Sequence, residues 1–108
     1  IIGLKINNSR KLRELHDRII REMKSYLTNS EVNVNMMHNP KEIDSKDTPW
    51  MFPYIKNFVR KSSYGNFNPH ITIGDGILGK KLNLPMKFEI SSLSIGHLGN
   101  YCTFREEL

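Results

Sequence analysis

The chain has 108 residues, 25% of them charged, and a net charge of +5 from 16 Lys and Arg against 11 Asp and Glu. That length makes one domain with a modest core. No apolar run approaches a membrane span and no charged-then-apolar signal segment opens the chain, so no membrane partner is expected. The one cysteine, Cys102, excludes an internal disulfide and gives no zinc pattern, which makes a reducing cytoplasm the simplest setting.

In chain order, Ile1 to Asn7 reads as a strand, with Ile2, Leu4 and Ile6 in alternation. Asn8 or Ser9 can cap a following helix, whose apolar positions Leu12, Leu15, Ile19, Met23 and Tyr26 keep the helical period. Glu14 with Arg18, and Asp17 with Arg21, stand four apart on its polar side, acid first. His16 borders the apolar stripe and reads as a packed histidine. Residues 28–48 are rich in Asn, Ser and charge and read as a long polar connection, in which His38 is a surface histidine. An apolar patch, Trp50 to Ile55, leads into a second predicted helix. Pro53 suits its start, and Tyr54, Ile55, Phe58 and Val59 form one face, a core helix docked on a sheet. The competing reading makes Trp50 or Phe52 a lid that stacks on a base.

Tyr64-Gly65-Asn66 and Gly74-Asp75-Gly76 are turn signals bracketing a short strand. Pro69 lacks an N–H and belongs at the strand's start. Alternation puts His70 and Thr72 on one face and Ile71 and Ile73 on the other, where the isoleucines are expected to be buried. Imidazole moves protons near neutral pH and a threonine hydroxyl donates to a phosphate oxygen, so the open face can do chemistry. Gly76 to Asn83 reads as a connection. Phe88 and Ile90, then Leu93 and Ile95 out of phase, predict a strand with a bulge near Ser91-Ser92. If that strand pairs beside His70, Ser92, Ser94 and Gly96 leave room for a substrate. A turn at Gly99-Asn100 makes a final hairpin through Tyr101 to Phe104, with Arg105-Glu106-Glu107 as a charged end. The element order predicts an α+β fold, a mostly antiparallel sheet with helices packed on one face.

Phe67-x-Pro69-His70-Ile71-Thr72-Ile73-Gly74 resembles the second His-x-Thr motif of the 2H phosphoesterases, the superfamily of 2′-5′ RNA ligases and RNA 2′,3′-cyclic phosphodiesterases. The resemblance extends upstream to Ile1–Ile6 and Leu12–His16, and downstream to Phe88–Ile95 and Leu98–Tyr101, and leaves out residues 28–62. It implies one lobe of a bilobal fold whose two lobes each supply one His-x-Thr across a cleft. It implies His70 as general acid or base, Thr72 as the holder of a phosphate oxygen, and a reaction that needs no metal or other cofactor. Phe67 in the motif and Ser94 on the small-residue face of the predicted strand are the expected substrate contacts. In several relatives a basic residue follows the motif. Here Gly74-Asp75-Gly76 stands in that place, and Lys80 or Lys81 is the expected substitute.

The partner this resemblance implies is RNA or a nucleotide with a cyclic or 2′-5′ phosphodiester. Charge agrees in sign: residues 1–27 carry seven basic and three acidic groups, and residues 49–81 carry five and one. His97-Leu98-Gly99 is no second His-x-Thr. The chain is therefore expected to be the C-terminal half of such an enzyme. A homodimer that assembles the two-motif site, or an RNA- or nucleotide-binding module that keeps the fold without catalysing, are the alternatives.

Overall fold

The computed structural model describes residues 2–28, 31–44 and 46–108. It is an α+β arrangement of two α-helices and two small antiparallel sheets. The chain gathers into two compact units, one built from the chain up to Ser25 with Ser62–Glu89, the other from Tyr26–Lys61 with Ile90–Leu108.

In the first unit, strand β1 (Ile2–Lys5) keeps the alternation expected of it, with Ile2 and Leu4 half-buried and Gly3 and Lys5 exposed. Ile1 lies outside the described residues. Helix α1 (Arg10–Met23) follows, capped by Ser9, whose hydroxyl accepts from Leu12 N at 3.2 Å. That choice over Asn8 follows from the corner's bonding: Asn8 Nδ2 donates to Phe67 O at 3.3 Å and is occupied elsewhere. Leu12, Leu15 and Met23 of the apolar stripe are half-buried while Ile19 is exposed, and the chain tightens into a 3₁₀ turn at Lys24–Tyr26, where Tyr26 is exposed as well. Glu14 pairs with Arg10 at 2.9 Å rather than with Arg18, since a cation stands one turn away on either side. No ion pair joins Asp17 to Arg21 among the described residues.

A 3₁₀ turn at Tyr64–Asn66 then leads into strand β2 (His70–Gly74). β1 and β2 run antiparallel with Lys5 opposite His70, Leu4 opposite Ile71 and Gly3 opposite Thr72, and a register shift between Ile2 and Gly3. Ile6 N donates to Pro69 O at 3.1 Å and extends the ladder over the buried Pro69. Ile71 and Ile73 remain 42% and 47% exposed, so the expected burial of that face is corrected. A two-stranded ribbon offers few neighbours to cover it.

The second unit holds helix α2 (Met51–Ser62, through Lys61) and a hairpin of strands β3 (Gly96–Leu98) and β4 (Phe104–Glu107). The helix begins at Met51, so Pro53 sits inside its first turn, where its missing N–H does no harm. Met51 and Thr48 are fully buried and Met37 nearly so. Thr48 is satisfied there by Asp44 O, at 2.6 Å from its hydroxyl and 3.0 Å from its amide. The face expected to dock is half-covered: Ile55 and Phe58 are partly buried, Tyr54 and Val59 exposed.

The hairpin forms around its turn signal, but Asn100–Cys102 is a 3₁₀ turn and not part of the returning strand, which is Phe104–Glu107 and so takes in Arg105, Glu106 and Glu107. The Phe104 ring lies over Gly96, which has no side chain to keep it off. The segment 28–48 is a long connection carrying 3₁₀ turns at Val34–Met36 and Pro40–Glu42 among its described residues. Residues 88–95, expected as a strand, form none, and the sheet expected as one is two separate ribbons. Strand propensity is realised only against a partner, and the out-of-phase apolar residues of that segment find no ladder.

Ser9→Ala should lower stability by about 1 kcal/mol through loss of the α1 cap, read as a reduced urea midpoint at unchanged slope. Burial raises the Cys102 thiol above its ordinary value. Its alkylation at pH 8 should accordingly be slower than that of an unfolded control, because the thiolate is the nucleophile.

Candidate functional site

The exposed face of the β1–β2 ribbon carries the candidate site. The His70 side chain is open to solvent, and its Nδ1 lies 2.8 Å from Asn68 O. A carbonyl only accepts, so Nδ1 carries the hydrogen and Nε2 is left as the acceptor, pointing away from its own backbone. Nε2 makes no hydrogen bond among the described residues, and neither does the exposed Thr72 hydroxyl. A fixed tautomer with one open nitrogen is what a proton-transferring imidazole needs.

The ladder adds two residues that reading the motif alone misses. Directly opposed residues of an antiparallel pair share a face with Cβ atoms about 5 Å apart. Lys5 is opposite His70, and Gly3 is opposite Thr72. The ribbon therefore presents an ammonium beside the imidazole and a gap beside the hydroxyl. The signal for Lys5 was present in the alternation of β1, but only the pairing register connects it to His70. It supplies on the neighbouring strand the positive charge that Gly74-Asp75-Gly76 lacks after the motif. Lys80 and Lys81 lie exposed in the segment between β2 and Glu89 and make no ion pair among the described residues.

Phe67 is half-buried and held from α1. Its ring stacks on His16 with centroids 3.9 Å apart and planes 13° from parallel. His16 Nε2 in turn accepts from Tyr64 N at 3.1 Å. One face of Phe67 is thus occupied, and His16 is a structural acceptor that fixes the approach to β2. Of the two histidines in this unit, only His70 keeps an open ring nitrogen of the acceptor kind.

Ser94 belongs to the second unit, where its hydroxyl donates to Glu107 Oε1 at 3.1 Å. Its expected place beside His70 depended on a strand over residues 88–95 pairing with β2. Among the described residues, β2 pairs with β1 alone. The other two histidines are also in this unit. His97 Nε2 donates to Met36 O at 2.8 Å, and His38 Nε2 lies 3.5 Å from Glu106 Oε2, with the two rings edge to face. His38 N donates to Leu98 O at 2.7 Å, and Arg105 pairs with Glu42 at 3.2 Å. These contacts fasten the segment around Met36–Glu42 to the hairpin.

No protein-family model matches the chain, and no curated protein or solved structure matches it. The case for the ribbon face rests on its own residues, and they set its test. Lys5→Gln, at an exposed position, should change stability by less than about 0.5 kcal/mol. It should nevertheless weaken the binding of inorganic phosphate, measured by calorimetry. Equal affinity in both proteins would remove Lys5 from the site.

Proposed function

We propose that this chain is a lobe of an RNA 2′,3′-cyclic phosphodiesterase of the 2H phosphoesterase type, working on 2′,3′-cyclic or 2′,5′-linked RNA ends in a reducing, cytoplasmic setting. The observation that carries the reading is the exposed His70–Thr72 face, with the His70 tautomer set by Asn68 and Lys5 opposite it. In this role His70 Nε2 takes the proton of the attacking hydroxyl or water, or returns one to the leaving oxygen. Thr72 donates to a non-bridging phosphate oxygen, and the Lys5 ammonium offsets the charge that builds on the phosphorus oxygens. Lys80 and Lys81 add a positive field for the approaching strand.

In-line displacement at phosphorus places acid and base on opposite sides of the reacting centre. Each well-placed proton transfer is worth roughly 10²–10⁴ in rate. His16 is engaged by Tyr64 and Phe67, so the unit that carries His70 offers one imidazole for two jobs. The second imidazole in this proposal comes from a partner lobe. A second copy related by a two-fold axis would meet the same requirement. The same observation favours one alternative, a module that binds RNA or a nucleotide through this face without turning it over.

The test is hydrolysis of a pyrimidine nucleoside 2′,3′-cyclic phosphate, with sedimentation on the same sample. The monomeric chain should turn over little, and His70→Ala should remove what activity the complete or dimeric protein has while leaving its thermal midpoint in place. A monomer as fast as a two-motif enzyme would defeat the one-lobe proposal. Binding without turnover in every assembly state would leave the binding module as the better reading. An active dimer that loses activity when mixed with excess His70→Ala subunits would assign the second imidazole to the other copy.

A further inference from the structure

In the second unit, three aromatic side chains climb one side of α2. Trp50, whose carbonyl accepts the first helical bond from Tyr54 N at 3.0 Å, is followed by Tyr54 and Phe58 at four-residue intervals. The ring centroids are 6.2 Å and then 5.8 Å apart, each pair edge to face. Trp50 is 47% exposed and Tyr54 44%, so two large π-systems stand open to solvent side by side. Exposed aromatics grouped in this way are more often binding surface than surplus core.

The charge of the helix points to the ligand. Met51–Ser62 contains Lys56, Arg60 and Lys61 and no acidic residue. At 3.6 residues per turn, Lys61 projects within about 20° of both Trp50 and Tyr54. Its ammonium therefore belongs to the aromatic stripe and not to the opposite face. Arg60 stands about 120° around the helix from Tyr54, where its Nη2 donates to Asn57 Oδ1 at 2.8 Å, and Asn57 Nδ2 donates to Pro53 O at 2.8 Å. Lys56 and Lys61 have no ion-pair partner among the described residues.

We infer that Trp50, Tyr54 and Lys61 form a binding surface for single-stranded RNA, with bases against the two exposed rings and a phosphate on Lys61. The inference rests on the phosphodiesterase reading only for the choice of RNA. Aromatic side chains alternating with cations are the means by which unpaired strands are held without sequence preference. Ring intervals near 6 Å are almost twice the 3.4 Å spacing of stacked nucleotides along a strand. They suit bases that have left their stack, and a duplex offers none. A membrane surface fits less well, because a helix lying in lipid keeps its cations off the apolar side, whereas here Lys61 shares it.

The chain has one tryptophan, so its emission reports on this surface alone. Titrating the protein with a short linear oligoadenylate should quench Trp50 emission to saturation, with much weaker quenching by the matching duplex. The linear oligoadenylate carries no 2′,3′-cyclic phosphate, which keeps this result separate from the fate of the phosphodiesterase proposal. By anisotropy of labelled RNA, Tyr54→Ala and Trp50→Ala should each weaken binding about 5- to 150-fold. Trp50→Phe should retain most of the affinity, guarding against a variant that fails to fold. Lys61→Gln should reduce the slope of log K against log salt by about 0.7. Trp50 emission unchanged at saturating RNA, equal affinity for duplex, or full affinity in both alanine variants would overturn the inference. A blue shift on phosphatidylserine vesicles with no response to RNA would overturn it in favour of a membrane-surface helix.

Discussion

The rungs that join Lys5 to His70 and Gly3 to Thr72 are the constraint on which the candidate site depends. Side chains alternate strictly along a strand, so a slip of one residue in that pairing would carry His70 and Thr72 to the opposite face and take Lys5 away from them. A ribbon of two strands is marginal by itself and needs packing from elsewhere. Helix α1 supplies it at the approach to β2. Asn8 Nδ2 reaches Phe67 O, and His16 both stacks on the Phe67 ring and accepts the Tyr64 amide hydrogen. Ile6 N closes on Pro69 O one step before the motif. The residues leading into His70 are thereby held by backbone, side-chain amide and ring contacts at once.

The four histidines show how context divides one kind of side chain among different tasks. His16 is an acceptor inside the first unit, and His97 is a donor to a backbone carbonyl in the second. His38 stands against Glu106 and has its Nδ1 buried without a partner. His70 uses a local carbonyl, that of Asn68, to set its tautomer, and its other nitrogen makes no hydrogen bond among the described residues. The same exposed imidazole would mean little without its neighbours, and the proposed phosphodiester chemistry draws on the Thr72 hydroxyl and the Lys5 ammonium as well. The proposed acid–base chemistry at phosphorus asks for a second proton carrier, and the unit's other imidazole is already engaged.

Local signals carried a good part of the structure. The alternation of Ile2 and Leu4, a cap expected at Asn8 or Ser9 and found at Ser9, the helical period of α1 as far as Met23, and the turn signal at Gly99-Asn100 mark elements that formed. Each involves residues within a turn or two of one another, where propensity and hydrogen bonding decide the outcome without outside help. The strand expected over residues 88–95 did not form, and Ile71 and Ile73 stayed exposed, because both depended on sheet neighbours that the ribbon does not have. Glu14 chose Arg10 over Arg18 between two equally spaced cations, a choice that periodicity leaves open.

By itself the sequence determined that His70 and Thr72 share one face of a short strand, since a period of two acts within five residues; the strand begins at His70, directly after Pro69 and not at it. It also determined that the basic groups gather in residues 1–27 and 49–81. Only the tertiary structure decided that Lys5 and Gly3 stand opposite that pair, that Phe67 lies against His16, and that the Ser94 hydroxyl goes to Glu107. The reason is that ladder register and ring stacking join residues far apart along the chain. Such contacts are selected by which surfaces meet when the chain closes, and no local pattern encodes them.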